Sequence, residues 1–327
     1  MQDLRTFAAA LLALLVVMAT PGATAEAAPV QDSTERWYTL EMFGGKSGYM
    51  RTVETVTDQT VTTESDVTMA VKRGALQLDI TMKSRFVETP DGKPISMRSE
   101  QTLAGPTITR DYTFKEDGIE LVTTQNGRES TTTLPLPQGA WLTPAAAERM
   151  LRQRLASGAE EITMRVMDPN SGADPVATTR KVVGRENLTV LGREVEVTQL
   201  RVTIASMPGV VSSEYVDAEA TLVRSQTNMG GIAVNITAAT ELEARGEIVA
   251  PEVMVSTFVK PDRPIDRPRT ATLGVYLLKV PDEPIPDVAA TGSQRFEVAG
   301  VNAVRVVVDT SFPHAAPPEE AENPAYL

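Results

Sequence analysis

The chain reads as a mainly β protein: one large, curved antiparallel sheet with a single packing helix, followed by a smaller C-terminal β unit. Three observations carry that reading. Apolar and polar residues alternate over long stretches, most cleanly where Leu76, Leu78, Ile80 and Met82 interleave with Gln77, Asp79, Thr81 and Lys83, the period of a strand with one face on a core. Turn sequences built on Gly, Asn and Pro separate these stretches at hairpin spacing. Aromatic residues are only 5% of the 327, so burial rests on Val, Leu, Ile, Met and Ala, which layered sheets accommodate.

Taken in order, the first residues are a processing signal. Arg5 precedes an uninterrupted apolar run from Phe7 to Met18, Pro21-Gly22 breaks it, and Ala23-Thr24-Ala25 offers a small-residue cleavage site, so residues 1–25 read as a secretory signal peptide. The run is shorter than the ~20 apolar residues a membrane-spanning helix needs, and no later stretch is apolar enough to span a bilayer. The mature chain is therefore expected in the periplasm, the cell envelope or the extracellular space, with no transmembrane segment.

Residues 26–35 read as a linker. Strands on either side of Gly44-Gly45-Lys46-Ser47-Gly48 open a β domain over 36–245. The turns Thr89-Pro90-Asp91-Gly92-Lys93, Glu116-Asp117-Gly118 and Gln125-Asn126-Gly127 predict hairpins, because Gly and Asn tolerate positive φ and Pro presets φ. Thr143 as N-cap, Pro144 at the first helical position and Gly158 as terminator predict a helix over 144–157. It carries Ala147, Met150, Leu151 and Leu155 on one face, with Glu148, Arg149, Arg152 and Arg154 largely elsewhere. Strands follow at 162–167 and 176–183. A change of phase between Val195, Val197 and Leu200, Val202, Ile204 predicts a β-bulge or bend near Thr198-Gln199. Tyr215 to Arg224 and the alternation of Ile232, Val234 and Ile236 complete the sheet. From 246 proline becomes frequent and strands shorten (254–259, 271–280, 293–298, 303–309), marking a small β unit over 246–312. Residues 313–327, with Pro317-Pro318-Glu319-Glu320, have the composition of a tail or of a linker to a further segment.

Much chemistry is excluded by composition. A formal charge of -12 argues against nucleic acid or an anionic membrane as partner. The absence of cysteine removes disulfides, thiolate metal sites and a cysteine nucleophile. The single histidine, His314, falls in the Pro-rich tail, so no Ser-His-Asp arrangement is in prospect. Gly44-Gly45 and Gly48 lack the spacing of a phosphate loop. The loop from Asp168 to Asp174 begins like a calcium loop but has Ala173 where glycine is required and Thr179 in place of the bidentate Glu. No catalytic, cofactor-binding or metal-ligating residue is expected, and the chain is not expected to be an enzyme unless a catalytic core follows it.

Short motifs add a resemblance. Trp37-Tyr38 with Gly44-Gly45-Lys46-Ser47-Gly48-Tyr49, Leu134-Pro135-Leu136-Pro137 ahead of the helix, and Tyr215-Val216-Asp217 leading to Leu222-Val223-Arg224 resemble the N-terminal accessory region of secreted bacterial transglutaminase-like proteins. The stretch 250–269 and the closing Asn323-Pro324-Ala325-Tyr326-Leu327 resemble the segment before the papain-like core of that family. The resemblance implies a non-catalytic accessory module that binds or presents a protein or envelope component, the Cys-His-Asp residues lying in a core not contained in this sequence. The predicted architecture is also similar to the half-barrels of periplasmic lipoprotein-localisation carriers. That similarity implies an apolar, acyl-type ligand in the concave face, with Met150, Leu151 and Leu155 of the helix and Leu78 and Ile80 of the sheet as the candidate groove.

Overall fold

The computed structural model describes residues 32–252 apart from 75, 104, 208, 230 and 231, and in addition 264, 267, 270–279 and 293–311. The signal peptide, the strand expected at 254–259 and the tail with His314 lie outside the described residues.

The chain divides into two compact units, 1–258 and 259–327. The first contains β1 (Asp32–Met42), β2 (Gly45–Val56), β3 (Val61–Arg73), β4 (Leu76–Glu88), β5 (Pro94–Leu103), β6 (Ile108–Lys115), β7 (Gly118–Gln125) and β8 (Arg128–Leu134). After helix α1 (Pro144–Ala156) come β9 (Glu161–Val166), β10 (Val176–Val190), β11 (Arg193–Ile204), β12 (Val211–Val216), β13 (Leu222–Met229), β14 (Ile232–Ala239) and the short α2 (Glu241–Arg245). All fourteen strands form one antiparallel sheet, ordered β8 to β1 and then β14 down to β9. Two meanders are thus joined at the middle, where β1 pairs with β14 in a register running from Trp37 opposite Ala239 to Met42 opposite Val234.

The sheet curls without closing, as the twist of so many strands requires. Its edge strands are β8 and β9. The connection from β8 to α1 bridges them: Leu142 N donates to Arg165 O (2.8 Å), Met167 N to Leu142 O (2.9 Å), and the Arg165 guanidinium to Gln138 O (2.6 Å). Met167, just past β9, packs with Phe86, Met97, Tyr112 and Ile119 from β4 to β7, which shows how far the edges approach.

Local signals account for most elements. Asn126 and Gly127 both have positive φ (53° and 70°) in the β7–β8 turn, the conformation that matches strand twist. The glycine-rich motif near the start has a steric reason: a Cβ on Gly48 would lie 2.1 Å from Thr68 O, so β3 can pair closely with β2 only if that residue is glycine. Lys46 next to it donates from Nζ to Glu243 O (2.6 Å) and Gly246 O (2.7 Å), closing the C-terminus of α2. That helix was not anticipated from the sequence, although Thr240-Glu241-Leu242-Glu243 spells a capping box and both of its hydrogen bonds form.

Four expectations are corrected. Strand β1 starts at Asp32, so residues 32–35 belong to the sheet rather than to a linker. Leu76 begins β4 at 59% exposure, because it sits at the hairpin tip beyond the curl. The bulge expected near Thr198-Gln199 has its extra residue on the partner strand: the register shifts between Val182 and Gly184 of β10, opposite Leu200 and Gln199 of β11. Strand β11 alternates without interruption and changes environment, its Val197 packing with Val190 and Tyr215 while Leu200 and Val202 face α1. Glu148 of α1, placed on a polar face from the sequence, is buried.

Among its described residues the second unit is a three-stranded antiparallel sheet of β15 (Leu273–Lys279), β16 (Gln294–Gly300) and β17 (Ala303–Asp309), with β17 central and its Val304 and Val306 buried.

Candidate binding site

Strand alternation and register assign the concave face. Tyr38, Leu40 and Met42 of β1 share it with Met50 of β2, Val67, Met69 and Val71 of β3, and Ile80 and Met82 of β4, and on the other side with Val234 and Ile236 of β14. These residues form one apolar cluster, joined by Leu222, in which Met42, Met50, Met69 and Met82 are all at most 1% exposed. Methionine is unbranched and polarizable, so an interior built on four of them can repack around a guest more readily than one of branched residues.

Over that cluster stand six half-buried apolar side chains: Phe43 in the β1–β2 turn, Leu78 at the start of β4, Leu103 at the end of β5, Met207 and Val210 between β11 and β12, and Ile232 at the start of β14. In an antiparallel meander every second turn falls at the same end, and all six belong to that end. The result is a half-buried apolar rim over the buried methionine cluster.

Helix α1 occupies a different part of the concave face. Ala147 and Leu151 pack with Ile162, Met164 and Val166 of β9, Leu200 and Val202 of β11, and Val216 of β12, with Leu155 at the margin of the group. The candidate groove residues therefore separate: Leu78 and Ile80 belong to the methionine cluster, Leu151 and Leu155 to the helix cluster, and the half-buried Met150 to neither.

The polar groups enclosed by the curl were not legible from the sequence. Glu88 of β4, 1% exposed, accepts from Ala145 N (3.1 Å) at the first turn of α1, and its other oxygen stands 3.6 Å from the Arg149 guanidinium. The carboxylate thus meets the positive end of the helix dipole. Burial nevertheless pushes its pKa up, against the pull of Thr143, Ala145 and Arg149. Glu54 of β2 is raised for the same first reason, with Arg36, Arg152 and Arg149 opposing. Burial likewise raises the Tyr38 phenol. Across the face, Arg180 of β10 donates from Nε to Glu214 of β12 (2.9 Å) and from Nη1 to Thr178 (3.2 Å), and Ser212 and Thr227 hydroxyls lie 2.9 Å apart beside it. Asp168, in the loop after β9, is engaged by its own turn, accepting from Asn170 N (2.9 Å) and Ser171 Oγ (2.7 Å). Among the described residues no group of three His, Cys, Asp or Glu side chains is placed to hold a metal ion, and no helix is long and apolar enough to cross a membrane.

No protein-family model matches the chain, and no curated protein matches it. A crystal structure of a β-barrel-like protein of a domain of unknown function, DUF1849, from Brucella abortus is similar over 65% of this chain and 98% of that one, at 16% identity and a TM-score of 0.48.

Proposed function

We propose that the chain is an exported, non-catalytic binding module of the carrier type, which receives an apolar, acyl-like chain through the mouth of its curled sheet. The observation that carries this reading is the pairing of six half-buried apolar side chains at one end of the curl with four fully buried methionines beneath them. Apolar groups around an opening favour entry of hydrocarbon, and an adaptable interior accommodates it without fixed shape. The reading takes export from the leader over 1–25 and asks no catalysis of the module. Nothing in it depends on a transglutaminase-like core downstream.

The test is titration of delipidated protein with N-phenyl-1-naphthylamine, a neutral probe that fluoresces in apolar surroundings. Saturable binding is expected, weakened about tenfold or more by Leu103→Glu, which places a charge at the mouth and costs about 1.4 kcal/mol of binding or more. Absence of saturable binding, or a Leu103→Glu protein that melts normally and binds like the wild type, would overturn the proposal.

A further inference from the structure

One row of the concave face is polar along its whole length. The register places Arg36 opposite Thr52, Thr52 opposite Ser65, Ser65 opposite Ser84, Ser84 opposite Ser99 and Ser99 opposite Arg110, so that six neighbouring strands, β1 to β6, each contribute one polar side chain. Each lies two positions along its strand from a residue of the apolar rows: Thr52 from Met50, Ser65 from Val67, Ser84 from Met82, Ser99 from Met97. The row therefore points into the curl. On one side run Tyr38, Met50, Val67 and Met82; on the other, Glu54 and Thr63 and then Phe86, Met97 and Tyr112.

Ser65 and Ser99 are 8% and 0% exposed, and their hydroxyl oxygens have no hydrogen-bond partner among the described residues, whereas the Thr52 hydroxyl, 2% exposed, is beside the Tyr38 phenol of the adjoining row. A buried hydroxyl without a partner is destabilising, and alanine or valine at these places would serve a dry core better. Two such groups on either side of the half-buried Ser84 call for a guest that supplies the missing hydrogen bonds. The neighbours define its chemistry further. Arginines stand at both ends of the row, which suits negative charge, and Glu54 beside Arg36 directs that charge towards Arg110. The apolar row through Met50, Val67 and Met82, and the Phe86, Met97 and Tyr112 part of the opposite row, suit a hydrocarbon attached to it. Ser84 and Arg110 are only half-buried, so the row can be reached.

We propose that this hydroxyl row binds the anionic, oxygen-bearing head of an acyl amphiphile, a carboxylate or a phosphate monoester, whose chain lies in the methionine-lined interior. The assignment rests on the carrier reading and adds to it the head group and the residues that select it. The charge is held by Arg110, and the hydroxyls of Ser99, Ser84 and Ser65 on the three strands next to it donate to the head oxygens, supplying the hydrogen bonds that Ser65 and Ser99 lack.

The experiment displaces bound N-phenyl-1-naphthylamine with hexadecanol, palmitate, hexadecyl phosphate and inorganic phosphate alone, at low ionic strength. Palmitate, hexadecyl phosphate or both should compete about tenfold better than the alcohol, the worth of one charge-assisted contact. Which of the two anions is preferred identifies the source of the head group, and inorganic phosphate alone should not compete. The preference for anion over alcohol should fall to about one in Arg110→Gln and shrink in Ser65→Ala/Ser99→Ala, each variant first shown to melt cooperatively. If the alcohol competes as well as the anions, or the preference survives Arg110→Gln, the head-group assignment is wrong and the carrier reading stands. If the probe itself does not bind, the carrier reading fails and this one with it. A crystal structure with ligand bound and only ordered water along the row would also overturn the assignment.

Discussion

At the scale of single residues, the pair Arg180–Glu214 shows how little the sign of a charge says about its place. Both side chains are about 96–97% buried, at 3% and 4% exposure, and they meet on the concave face where the surrounding residues are Val202, Leu200 and Ile162. Such a pair recovers by mutual attraction and hydrogen bonds about what its desolvation costs, so its net worth to stability is small while the loss of one partner is severe. Arg180→Met is expected to lose about 3–5 kcal/mol in urea unfolding, because Glu214 is left buried and uncompensated. Adding Glu214→Leu should recover most of that loss. A double variant no more stable than Arg180→Met would show that the pair has a role beyond mutual neutralisation.

At the scale of an element, α1 is held inside the curl by two different forces. Leu151 and Ala147 bury apolar area against β9, β11 and β12, whereas the N-terminus is held by one carboxylate from β4, since Thr143 makes no side-chain cap and instead donates to Gly92 O (3.4 Å). The arrangement carries a pH dependence. Glu88 and Glu54 have folded pKa values above the ordinary carboxylate value, burial being the first cause for each. A group raised on folding contributes stability that is whole below its unfolded pKa and is lost as pH rises through its folded pKa. For these two groups the protein is therefore stabilised by acid across that window and loses the contribution on the neutral side of it. Glu54→Gln, which carries no charge at any pH, should raise the Tm at neutral pH and flatten this part of the pH profile. An unchanged slope between the ordinary carboxylate value and neutrality would assign the dependence to other groups.

At the scale of the molecule, stability is expected to follow position in the sheet. The central strands β1 and β14 are paired on both sides and join the two meanders, and β9 is covered at its outer edge by the connection through Leu142. Strand β8 is an edge with six of its seven residues exposed, blunted by Arg128 and Glu129 in the way edge strands commonly are. Hydrogen exchange should accordingly divide: amides of β1, β2 and β14 exchange only through global unfolding, while those of β8 exchange through a lower-energy local opening. Equal protection of β8 and β1 would mean that the sheet is one cooperative unit to its edge.

The sequence by itself determined what depends on neighbours along the chain. The alternation around Ile80, the Asn126-Gly127 turn, and the boundaries of α1 at Thr143, Pro144 and Gly158 all follow from local steric preference, and each stands in the structure where it was expected. Leu78, Ile80, Leu151 and Leu155 could be placed on inward faces for the same reason. Only the tertiary structure decided which faces meet. A period of two says that one side of a strand is buried but is the same for every partner, so the pairing of β1 with β14, at opposite ends of the sheet's sequence, had no local signature. The burial of Glu148 and the alignment of Thr52, Ser65, Ser84 and Ser99 into one row depend on the register of several strands at once. Spread over almost fifty residues of sequence, those hydroxyls look like ordinary solvent-facing positions, and it is the curl of the sheet that turns them inward.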